Sequence, residues 1–467
     1  MNNLPELVVR ADAGPRIGSG HLLRGLALAL AWKKLGGKAA VAGERTAAHD
    51  ERLAALGIEG RPASADSPAP GGWLAVDGYD FDPAYLDAAK SRAKLLVVDD
   101  HGHRPRLSPD VVLNPNAGCE DFPYAPSDAL VLAGPRWALL RPEFAAEPVR
   151  RARGKKPKVL VTLGGADADN VTEAVLTSLA PMKGEIDVVC VVGPDNPHGE
   201  RLKTLASDLR RGVSDLRALM LDCDAAVVAG GVTSLECAAA ALPAVVIAVA
   251  DNQKRQAKGL AAAGAAVEAS ASDAADALRS VLATSRMGAA GRALVDGKGA
   301  ERAAGVLAAL SKAKLGEADA LLRPAQAGDV WPVWRLANAP SVRAHSFSAE
   351  PIPSAVHAKW FAAQLSDAKT RFYVLEVSGA HAAQVRVDRE AEVHFAVASA
   401  FRGKGLGTLA LKLSRTRAAE ELGCPKLKAL VIEPNEASAR AFLGAGYARA
   451  GSAKEKGRDC AVFEATC

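Results

Sequence analysis

The sequence predicts an α/β protein made of two doubly wound, Rossmann-like halves followed by a smaller third α/β domain. From Leu7 to about Leu310, short apolar, β-branched runs alternate with longer helical stretches. Such runs are typical of parallel strands that are covered on both faces. The charged, proline-containing segment Arg141–Lys158 divides this region about equally. Because 467 residues are too many for one core, we expect domains at 1–150, 151–310 and 320–467.

The predicted strands alternate with helices, so their carboxyl ends should border a ligand cleft in each half. In the first two domains they are Leu7–Arg10, Ala39–Ala42, Trp73–Asp77, Leu95–Asp99, Val111–Asn114, Lys158–Leu163, Ile186–Val192, Ala225–Val228 and Ala244–Ala248. The pattern changes at Leu322, and three further strands are predicted there. They are Phe372–Val377, Ala382–Val387 and Glu392–Ser399.

The composition favours a cytoplasmic protein that binds small anionic molecules. The formal net charge is +5, yet aromatic residues make up only 4% and no basic stripe is present, so no nucleic-acid partner is predicted. The longest apolar stretch, Cys237–Ala250, contains Pro243 and is too short to span a bilayer, so no membrane partner is expected. The seven cysteines include no C-x-x-C pair, as in a reducing compartment. The oligomeric state is left open.

A glycine-punctuated turn, RADAGPRIGSGH, places His21 at the start of a helix. Gly18 and Gly20 permit a sharp turn and a close approach of backbone N–H groups to a ligand. The helix is predicted from apolar residues at i, i+3, i+4 and i+7, namely Leu23, Leu26, Ala27 and Leu30. His21 is either a capping or exposed residue, or a base presented to a substrate.

The motifs of the first two domains resemble the UDP-sugar hydrolases of pseudaminic-acid biosynthesis. After RADAGPRIGSGHLLRGLALA come VDGYDFD at 76–82, VVDD at 97–100, LNPNAG at 113–118, GPRWALLRPEF at 134–144, VTLGGADADN at 161–170 and AGGVTSLECAAAALPAVVIAVADNQ at 229–253. The resemblance implies the two-domain GT-B arrangement and makes His21 the general base. It also implies a substrate-binding role for residues fixed in the first motif, namely Arg10, Asp12, Gly18, Gly20 and Arg24.

The motif GGVTSLE has the outline of a nucleotide diphosphate site. Gly231 precedes a helix whose first turn carries Thr233 and Ser234, so hydroxyls and unpaired N–H groups face the same point. The alternative is ordinary helix capping. The resemblance implies that Glu236 accepts hydrogen bonds from the ribose. Other candidates for the substrate site lie at or after the ends of predicted strands: Asp77 and Tyr79 on the sugar side, and Gly164, Gly165, Asn252 and Gln253.

A cluster of acidic and imidazole side chains at Asp99, Asp100, His101 and His103 has the residue types of a metal site. Polar residues at strand ends more often line a cleft or close a turn. No metal is therefore predicted.

In the third domain, the loop RGKGLG between a predicted strand and helix resembles R-x-x-G-x-G, the pyrophosphate loop of GNAT acetyltransferases. Its glycines would let successive N–H groups face a coenzyme A pyrophosphate. The resemblance implies acetyl-CoA as the acetyl donor. The cofactor-binding candidates are Val397, Arg402, Gly403, Lys404, Gly405, Leu406, Gly407, Thr408 and Asn435.

Acetyl transfer needs a neutral amine, and Glu392 and His394 are candidate bases on one face of the preceding strand. Either residue is alternatively a structural contact at the sheet edge. Many GNAT members have a tyrosine seven residues after the asparagine, where this chain has Phe442. We expect the domain to remain competent, because water or the substrate ammonium can protonate the thiolate.

The two resemblances together predict consecutive steps on one chain. The third domain would N-acetylate a UDP-4-amino sugar, and the first two would hydrolyse UDP from UDP-2,4-diacetamido-2,4,6-trideoxy-altropyranose. The alternatives are a GT-B glycosyltransferase fused to an acetyltransferase, and a regulatory protein that only binds nucleotide sugars.

Overall fold

The computed structural model describes residues 4–14, 17–102, 108–122, 124, 127–151, 154–164, 167, 169–193 and 196–466. The chain forms two compact units. The first consists of Met1–Leu107, Val112–Glu120 and Leu132–Ala304, and the second of Ser108–Val111, Asp121–Val131 and Gly305–Cys467.

The first sheet is doubly wound, with seven strands in the order β3-β2-β1-β4-β5-β6-β7. The strands are β1 (Leu7–Ala11), β2 (Ala39–Ala42), β3 (Glu59–Arg61), β4 (Trp73–Asp77), β5 (Lys94–Val98), β6 (Val111–Asn114) and β7 (Leu130–Ala133). Its helices are α1 (Gly20–Lys34), α2 (Ala47–Ala55) and α3 (Pro83–Arg92). β1 pairs in parallel with both β2 and β4, so the strand order reverses between β1 and β4. That switch point is where ligands bind in such sheets.

The second sheet repeats the design with six strands, in the order β10-β9-β8-β11-β12-β13. The strands are β8 (Lys158–Thr162), β9 (Asp187–Val192), β10 (Asp208–Arg211), β11 (Ala225–Ala229), β12 (Ala244–Ile247) and β13 (Val267–Glu268). The helices are α4 (Val171–Leu179), α5 (Gly199–Leu202), α6 (Leu216–Asp222), α7 (Val232–Ala239), α8 (Asp251–Ala262), α9 (Ala274–Ala283), α10 (Met287–Leu294) and α11 (Gly299–Ser311). Adjacent strands pair in parallel, and apolar clusters cover both faces of the sheet. The predicted α/β class with two parallel doubly wound sheets is thus confirmed.

Helix α1 packs more deeply than its predicted apolar stripe implies. Leu26 and Ala27 are buried as predicted, but Leu23 and Leu30 are only half-buried. A Cβ at Gly25 would lie 2.6 Å from Val9 Cγ1, so the absence of a side chain lets the helix lie close against β1. This close approach buries the helix over more of its circumference than one stripe.

The second unit contains two antiparallel sheets, in the orders β14-β15-β16-β17 and β18-β20-β19. The strands are β14 (Leu321–Pro324), β15 (Arg371–Val377), β16 (Ala380–Val387), β17 (Val393–Val397), β18 (Lys426–Ile432), β19 (Ala448–Glu455) and β20 (Arg458–Thr466). The helices are α12 (Val330–Asn338), α13 (Pro340–Arg343), α14 (Ser354–Ser366), α15 (Leu406–Leu422) and α16 (Glu436–Gly444). In the described part of the chain, no helix is long and apolar enough to cross a membrane.

Candidate active sites

The structure brings His21 against a buried carboxylate at the switch point of the first sheet. Asp77 ends β4 and pairs with Ala11 at the end of β1, while His21 lies in the first turn of the helix that follows β1. His21 Nδ1 lies 2.7 Å from Asp77 Oδ1. Arg24 Nη2 also lies 3.1 Å from Nδ1, but its two protons are directed to the shorter contacts with Asp77 Oδ1 and Asp100 Oδ2, at 2.6 and 2.8 Å. Because a carboxylate only accepts, the contact with Asp77 favours the tautomer that carries its proton on Nδ1 and its lone pair on Nε2. This is the tautomer that a general base needs.

Arg24 lies one helical turn after His21 and joins two carboxylates. Its Nε and Nη2 donate to Asp77 over 2.5 and 2.6 Å, and its guanidinium donates to both oxygens of Asp100 over 3.0 and 2.8 Å. Burial alone would lower the pKa of Arg24, but the charges of Asp100 and Asp77 outweigh it and hold that pKa well above the ordinary value. Arg24 thus joins both carboxylates in one buried ion-pair cluster beside His21.

Asp100 is held ionised in the same cluster. Burial would raise its pKa, yet the charge and hydrogen bonds of Arg24, with a further bond from Asn116, lower it to about 2. Tyr79 OH donates to Asp100 Oδ2 over 3.0 Å, and its ring meets that of His21 edge-on at 4.7 Å between centroids. Desolvation and Asp100 raise the pKa of Tyr79, so the phenol stays protonated.

Tyr79 also marks where the two halves meet. Asn252, in the first turn of α8, donates from Nδ2 to Tyr79 OH over 3.1 Å. The switch point of the first sheet and a helix start of the second half are therefore in direct contact.

Two substrate candidates of the first motif pair with each other instead of with His21. Arg10 Nη1 donates to Asp12 Oδ1 over 2.5 Å, and Asp12 also accepts the backbone N–H of Glu44 over 2.7 Å. The glycines behave as predicted for a tight turn: Gly18 has a φ of +76° and exchanges backbone hydrogen bonds with Gly14, and Gly20 opens α1.

The GGVTSLE loop is locked by a buried glutamine that the sequence reasoning missed. Gln256 Nε2 lies 2.8 Å from Gly230 O, 2.7 Å from Gly231 O and 2.8 Å from Ser234 Oγ. Ser234 Oγ in turn donates to Gly231 O over 2.7 Å, so its hydroxyl bonds a carbonyl and does not cap an N–H group of α7. Thr233 is half-buried in the same turn. These hydrogen bonds therefore hold the loop before α7 in one conformation. The spacing of Gln256 was a usable signal: it lies one helical turn after Gln253, which was already a candidate, and therefore near the same face of α8.

Glu236 is 8% exposed and is paired across the two halves. Arg141 donates to Glu236 Oε1 from Nε over 3.3 Å and from Nη2 over 3.1 Å. Among the described residues, Oε2 has no hydrogen-bond partner. Burial raises the pKa of Glu236 despite Arg141. Because Oε2 has no partner among the described residues, it is available to accept a hydrogen bond from a ligand donor such as a hydroxyl.

The remaining strand-end candidates are placed as follows. Gly164 follows β8 with a φ of +110° and an exposed backbone, whereas Gly165 lies outside the described residues. Gln253 Oε1 accepts the backbone N–H of Val249 over 3.1 Å, so this amide holds the loop after β12.

In the acidic and imidazole cluster, Asp99 and Asp100 form hydrogen bonds within the protein. Asp99 Oδ1 accepts the backbone N–H groups of His101 and Gly102, which closes a turn, and Asp100 is bound to Arg24. Within the described residues, no group of three or more histidine, cysteine, aspartate or glutamate side chains is arranged to hold a metal ion. His103 lies outside them.

In the second unit, a cavity of about 780 Å³ opens between β17 and β18, which belong to different sheets. The predicted cofactor residues on its wall are Val397, Arg402, Gly403, Gly405, Leu406, Gly407, Thr408 and Asn435. Gly403 and Gly405 have φ values of +73° and +90°, and Gly405 caps α15. The side chain of Lys404 is directed to the carbonyls of Leu310 and Lys312, so any contact of Lys404 with a ligand in the cavity would come from its backbone.

The two candidate bases of this domain are placed differently. His394 lines the cavity, and its Nε2 donates to Asp388 Oδ2 over 3.0 Å. Burial would raise the pKa of Asp388, but the bond from His394 and the backbone N–H groups of Glu392 and Glu390 lower it to about 2. Glu392 does not line the cavity. It precedes β17, which starts at Val393, because its backbone N–H bonds Asp388 Oδ1 and closes the turn.

Phe442 lines the cavity and belongs to an aromatic cluster. Its ring meets Phe395 and Tyr447 edge-on, at 5.2 and 5.0 Å between centroids, and stacks on Phe463 at 5.6 Å. Its role in the described structure is packing.

Sequence reasoning named Asp77 only as a sugar-side residue and missed Asp100, Asn116 and Arg141 as members of the site. All four lie in quoted motifs, at or just after a strand end or in the segment between the halves. The carboxyl ends of parallel strands meet at one edge, and that rule was the signal that could have joined Asp77 and Asp100 to His21.

Comparison with known proteins identifies the class of the C-terminal domain. Residues 319–448 match the family described as Acetyltransferase (GNAT) domain. The C-terminal part of the chain is therefore a GNAT acetyltransferase domain. Among solved structures, a spermidine N-acetyltransferase from Vibrio cholerae in complex with CoA and spermine is 16% identical, with a TM-score of 0.30, over 32% of this chain and 96% of that chain.

The N-terminal part resembles the spore coat polysaccharide biosynthesis protein SpsG of Bacillus subtilis. The two are 26% identical over 234 residues, which are 46% of this chain and 69% of that protein. The structure of Acinetobacter baumannii MurG is 16% identical, with a TM-score of 0.46, over 65% of this chain and 99% of that chain.

Proposed function

We propose that this chain is a bifunctional enzyme of pseudaminic-acid biosynthesis. One part hydrolyses UDP-2,4-diacetamido-2,4,6-trideoxy-altropyranose, and the other N-acetylates the UDP-4-amino precursor with acetyl-CoA. The observation that carries the hydrolase assignment is the 2.7 Å contact between His21 Nδ1 and Asp77 Oδ1. A relative of the N-terminal part named for polysaccharide biosynthesis supports a sugar substrate.

In the hydrolase step, His21 Nε2 takes a proton from a water molecule whose oxygen attacks the anomeric carbon of the sugar. The bond from that carbon to the diphosphate oxygen breaks, and UDP leaves with the electron pair. Asp77 is a positioning residue here, because it holds the ring and stabilises the imidazolium that forms. The Asp100–Tyr79–Asn252 contacts line the side on which the sugar is expected.

For the nucleotide, Glu236 Oε2 accepts the ribose hydroxyls, and the N-terminus of α7 with Thr233 faces the diphosphate. Ser234 supports the loop instead of contacting the phosphates, because its hydroxyl donates to Gly231 O and accepts from Gln256. The helix N-terminus supplies N–H groups and a favourable dipole for the phosphates. Gly164, Gly231 and Gln253 border the same cleft.

In the acetyltransferase step, the amine nitrogen attacks the thioester carbonyl, the C–S bond breaks, and the coenzyme leaves as a thiolate. His394, held by Asp388, removes the amine proton, and the thiolate is protonated by water or by the substrate's own proton. The loop from Arg402 to Thr408 holds the coenzyme pyrophosphate, because its glycines let successive backbone N–H groups face the phosphates.

The experiment that tests the proposal is to incubate the full chain with UDP-4-amino and UDP-2,4-diacetamido sugars, with and without acetyl-CoA, and to follow products by NMR. We expect acetylation only with acetyl-CoA, and UDP release from the diacetamido sugar without it. Transfer of the sugar to an added acceptor would instead indicate a glycosyltransferase, and binding without turnover a regulatory protein.

Replacement of Glu236 by alanine is expected to weaken UDP binding by about 1–3 kcal/mol, because a charged acceptor for the ribose is lost. In the wild-type protein, affinity should fall as the pH is lowered through the raised pKa of Glu236, since the protonated acid accepts poorly. Calorimetry with UDP at two pH values measures both effects. Glu143→Ala, which removes the exposed partner of Arg141, is the matched control. Unchanged affinity in Glu236→Ala would remove the ribose assignment.

Asp77→Asn is expected to lower the turnover of hydrolysis by roughly 10²–10⁴-fold, because an amide that donates to Nδ1 selects the wrong imidazole tautomer. The pH–rate profile should also shift, which a purely structural defect would not cause. Steady-state kinetics over pH 5.5–9 measures this, with UDP affinity as the check that the site is intact. A variant with lower turnover but the wild-type profile would contradict the positioning role.

A further inference from the structure

One wall of the acetyltransferase cavity is built from two elements that lie outside the coenzyme loop. The first is the segment 341–348, from α13 into the following loop, and the second is the turn of the β19–β20 hairpin, which contributes Lys456. Arg458 Nη1 donates to Ser346 O over 2.7 Å and ties the hairpin to the segment. We call this wall the acceptor wall. It lies apart in sequence from the residues assigned to the coenzyme.

The charged side chains that line the cavity are basic. Four cationic side chains line it, and no aspartate or glutamate is among the described residues that do so; the cations are Arg343, Arg402, Arg440 and Lys456. Coenzyme A is itself an anion, so part of this charge is accounted for by the cofactor. The cations that do not contact the coenzyme are available to the second substrate.

Two of the cations belong to the coenzyme side. Arg402 opens the pyrophosphate loop and donates from Nε to Val397 O over 3.1 Å. Arg440 lies on α16, whose N-cap is Asn435, and pairs with Glu436 over 3.0 Å. The other two, Arg343 and Lys456, are on the acceptor wall.

Arg343 lacks a compensating partner among the described residues. Its guanidinium forms no hydrogen bond or ion pair with them, and its Nε is buried without an acceptor. Burial lowers its pKa, and no neighbouring anion offsets the effect. An Arg held partly desolvated with an unused planar donor set is suited to a phosphate or carboxylate that arrives with a ligand. Lys456 likewise forms no ion pair there, and adds charge to the same wall.

We propose that Arg343, assisted by Lys456, binds the diphosphate of the acetyl acceptor and so selects anionic, phosphate-bearing amines. The inference rests on the proposed function for the reaction at this cavity and adds the residues that recognise the acceptor. Electrostatic attraction by the acceptor wall brings the amine to His394, whereas a polycationic amine meets like charge and is disfavoured. Arg343 is a specificity residue, not a catalytic one.

The test compares two acceptors that share one amine: the UDP-2-acetamido-4-amino-2,4,6-trideoxy sugar of the proposed function and the methyl glycoside of the same amino sugar. For Arg343→Gln, we expect KM for the UDP sugar to rise by roughly 10–100-fold, as for the loss of a charged hydrogen bond, with little change for the glycoside. Arg343→Lys should restore part of the affinity, and Lys456→Gln should have a smaller effect. A sugar 1-phosphate as a third acceptor shows whether one phosphate suffices.

The controls separate this inference from the proposed function. Lys454→Gln changes a cation of the same hairpin that does not line the cavity and should behave as wild type. Affinity for acetyl-CoA, measured by calorimetry, should be unchanged in Arg343→Gln. If Arg343→Gln weakens acetyl-CoA, or affects both acceptors equally, the acceptor assignment is overturned while acetylation stands. If the wild-type chain acetylates neither acceptor, the proposed function itself fails.

Discussion

Replacement of His21 by alanine or asparagine is expected to lower the rate of UDP-sugar hydrolysis by about 10²–10⁴-fold, the usual contribution of a general base. The effect should be large because Nδ1 is committed to Asp77 at 2.7 Å, which leaves Nε2 as the proton acceptor. Acetyl transfer should be unchanged, since His394 and the coenzyme loop belong to the other compact unit.

The measurement is UDP release from the diacetamido sugar, with acetylation of the amino sugar assayed on the same preparation. UDP affinity close to that of the wild type shows that the nucleotide half is intact. Hydrolysis in heavy-oxygen water should place the label in the sugar, and label in UDP would instead mean attack at phosphorus. Near-normal hydrolysis by His21→Ala would overturn the base assignment.

Replacement of Gly405 by leucine is expected to abolish detectable binding of acetyl-CoA. Gly405 has a φ of +90° and caps α15, where backbone N–H groups must approach the pyrophosphate closely. A side chain at this position blocks that approach, and each charged hydrogen bond lost costs about 1.5–3 kcal/mol. Phe442→Ala should cost less, because Phe442 contributes packing.

The matched control is Gly423→Leu at the other end of the same helix. Gly423 also has a positive φ, +64°, but no atom lies within 4 Å of the added Cβ. Both variants therefore place a side chain at a positive φ and introduce similar backbone strain, but only Gly405 lines the cavity. Calorimetry with acetyl-CoA should separate them. Equal loss in both variants would mean that strain in α15, and not contact with the pyrophosphate, is responsible.

In the two parallel sheets, the central strands were predictable from sequence and the edge strands were not. In the second unit the central strand β20 was not predicted, whereas the edge strand β17 was. The observed bounds of β2, β4 and β6 agree with the predicted ones, because these strands are almost wholly buried and apolar, except for the last residues of β4 and β6, Asp77 and Asn114. By contrast, β3 reads EGR, β10 reads DLRR and β19 is almost wholly exposed. An edge strand forms because a neighbour offers backbone hydrogen bonds, so it needs no apolar pattern of its own.

The α/β class was predictable from the order of residues alone, as were the turn that places His21 at a helix start and the glycine loop before α15, because each depends on residues close together in the chain. Which side chains meet depends instead on how the strands and helices pack. His21 and Asp77 are 56 residues apart, and Arg141 and Glu236 are 95 apart. Their contacts follow from strand order and burial: parallel pairing of β1 with β4 brings two strand ends together, and a buried charge must then find a partner within reach. The lack of an ion-pair partner for Arg343 among the described residues was likewise not predictable, because the local sequence does not show which distant anions lie near a side chain.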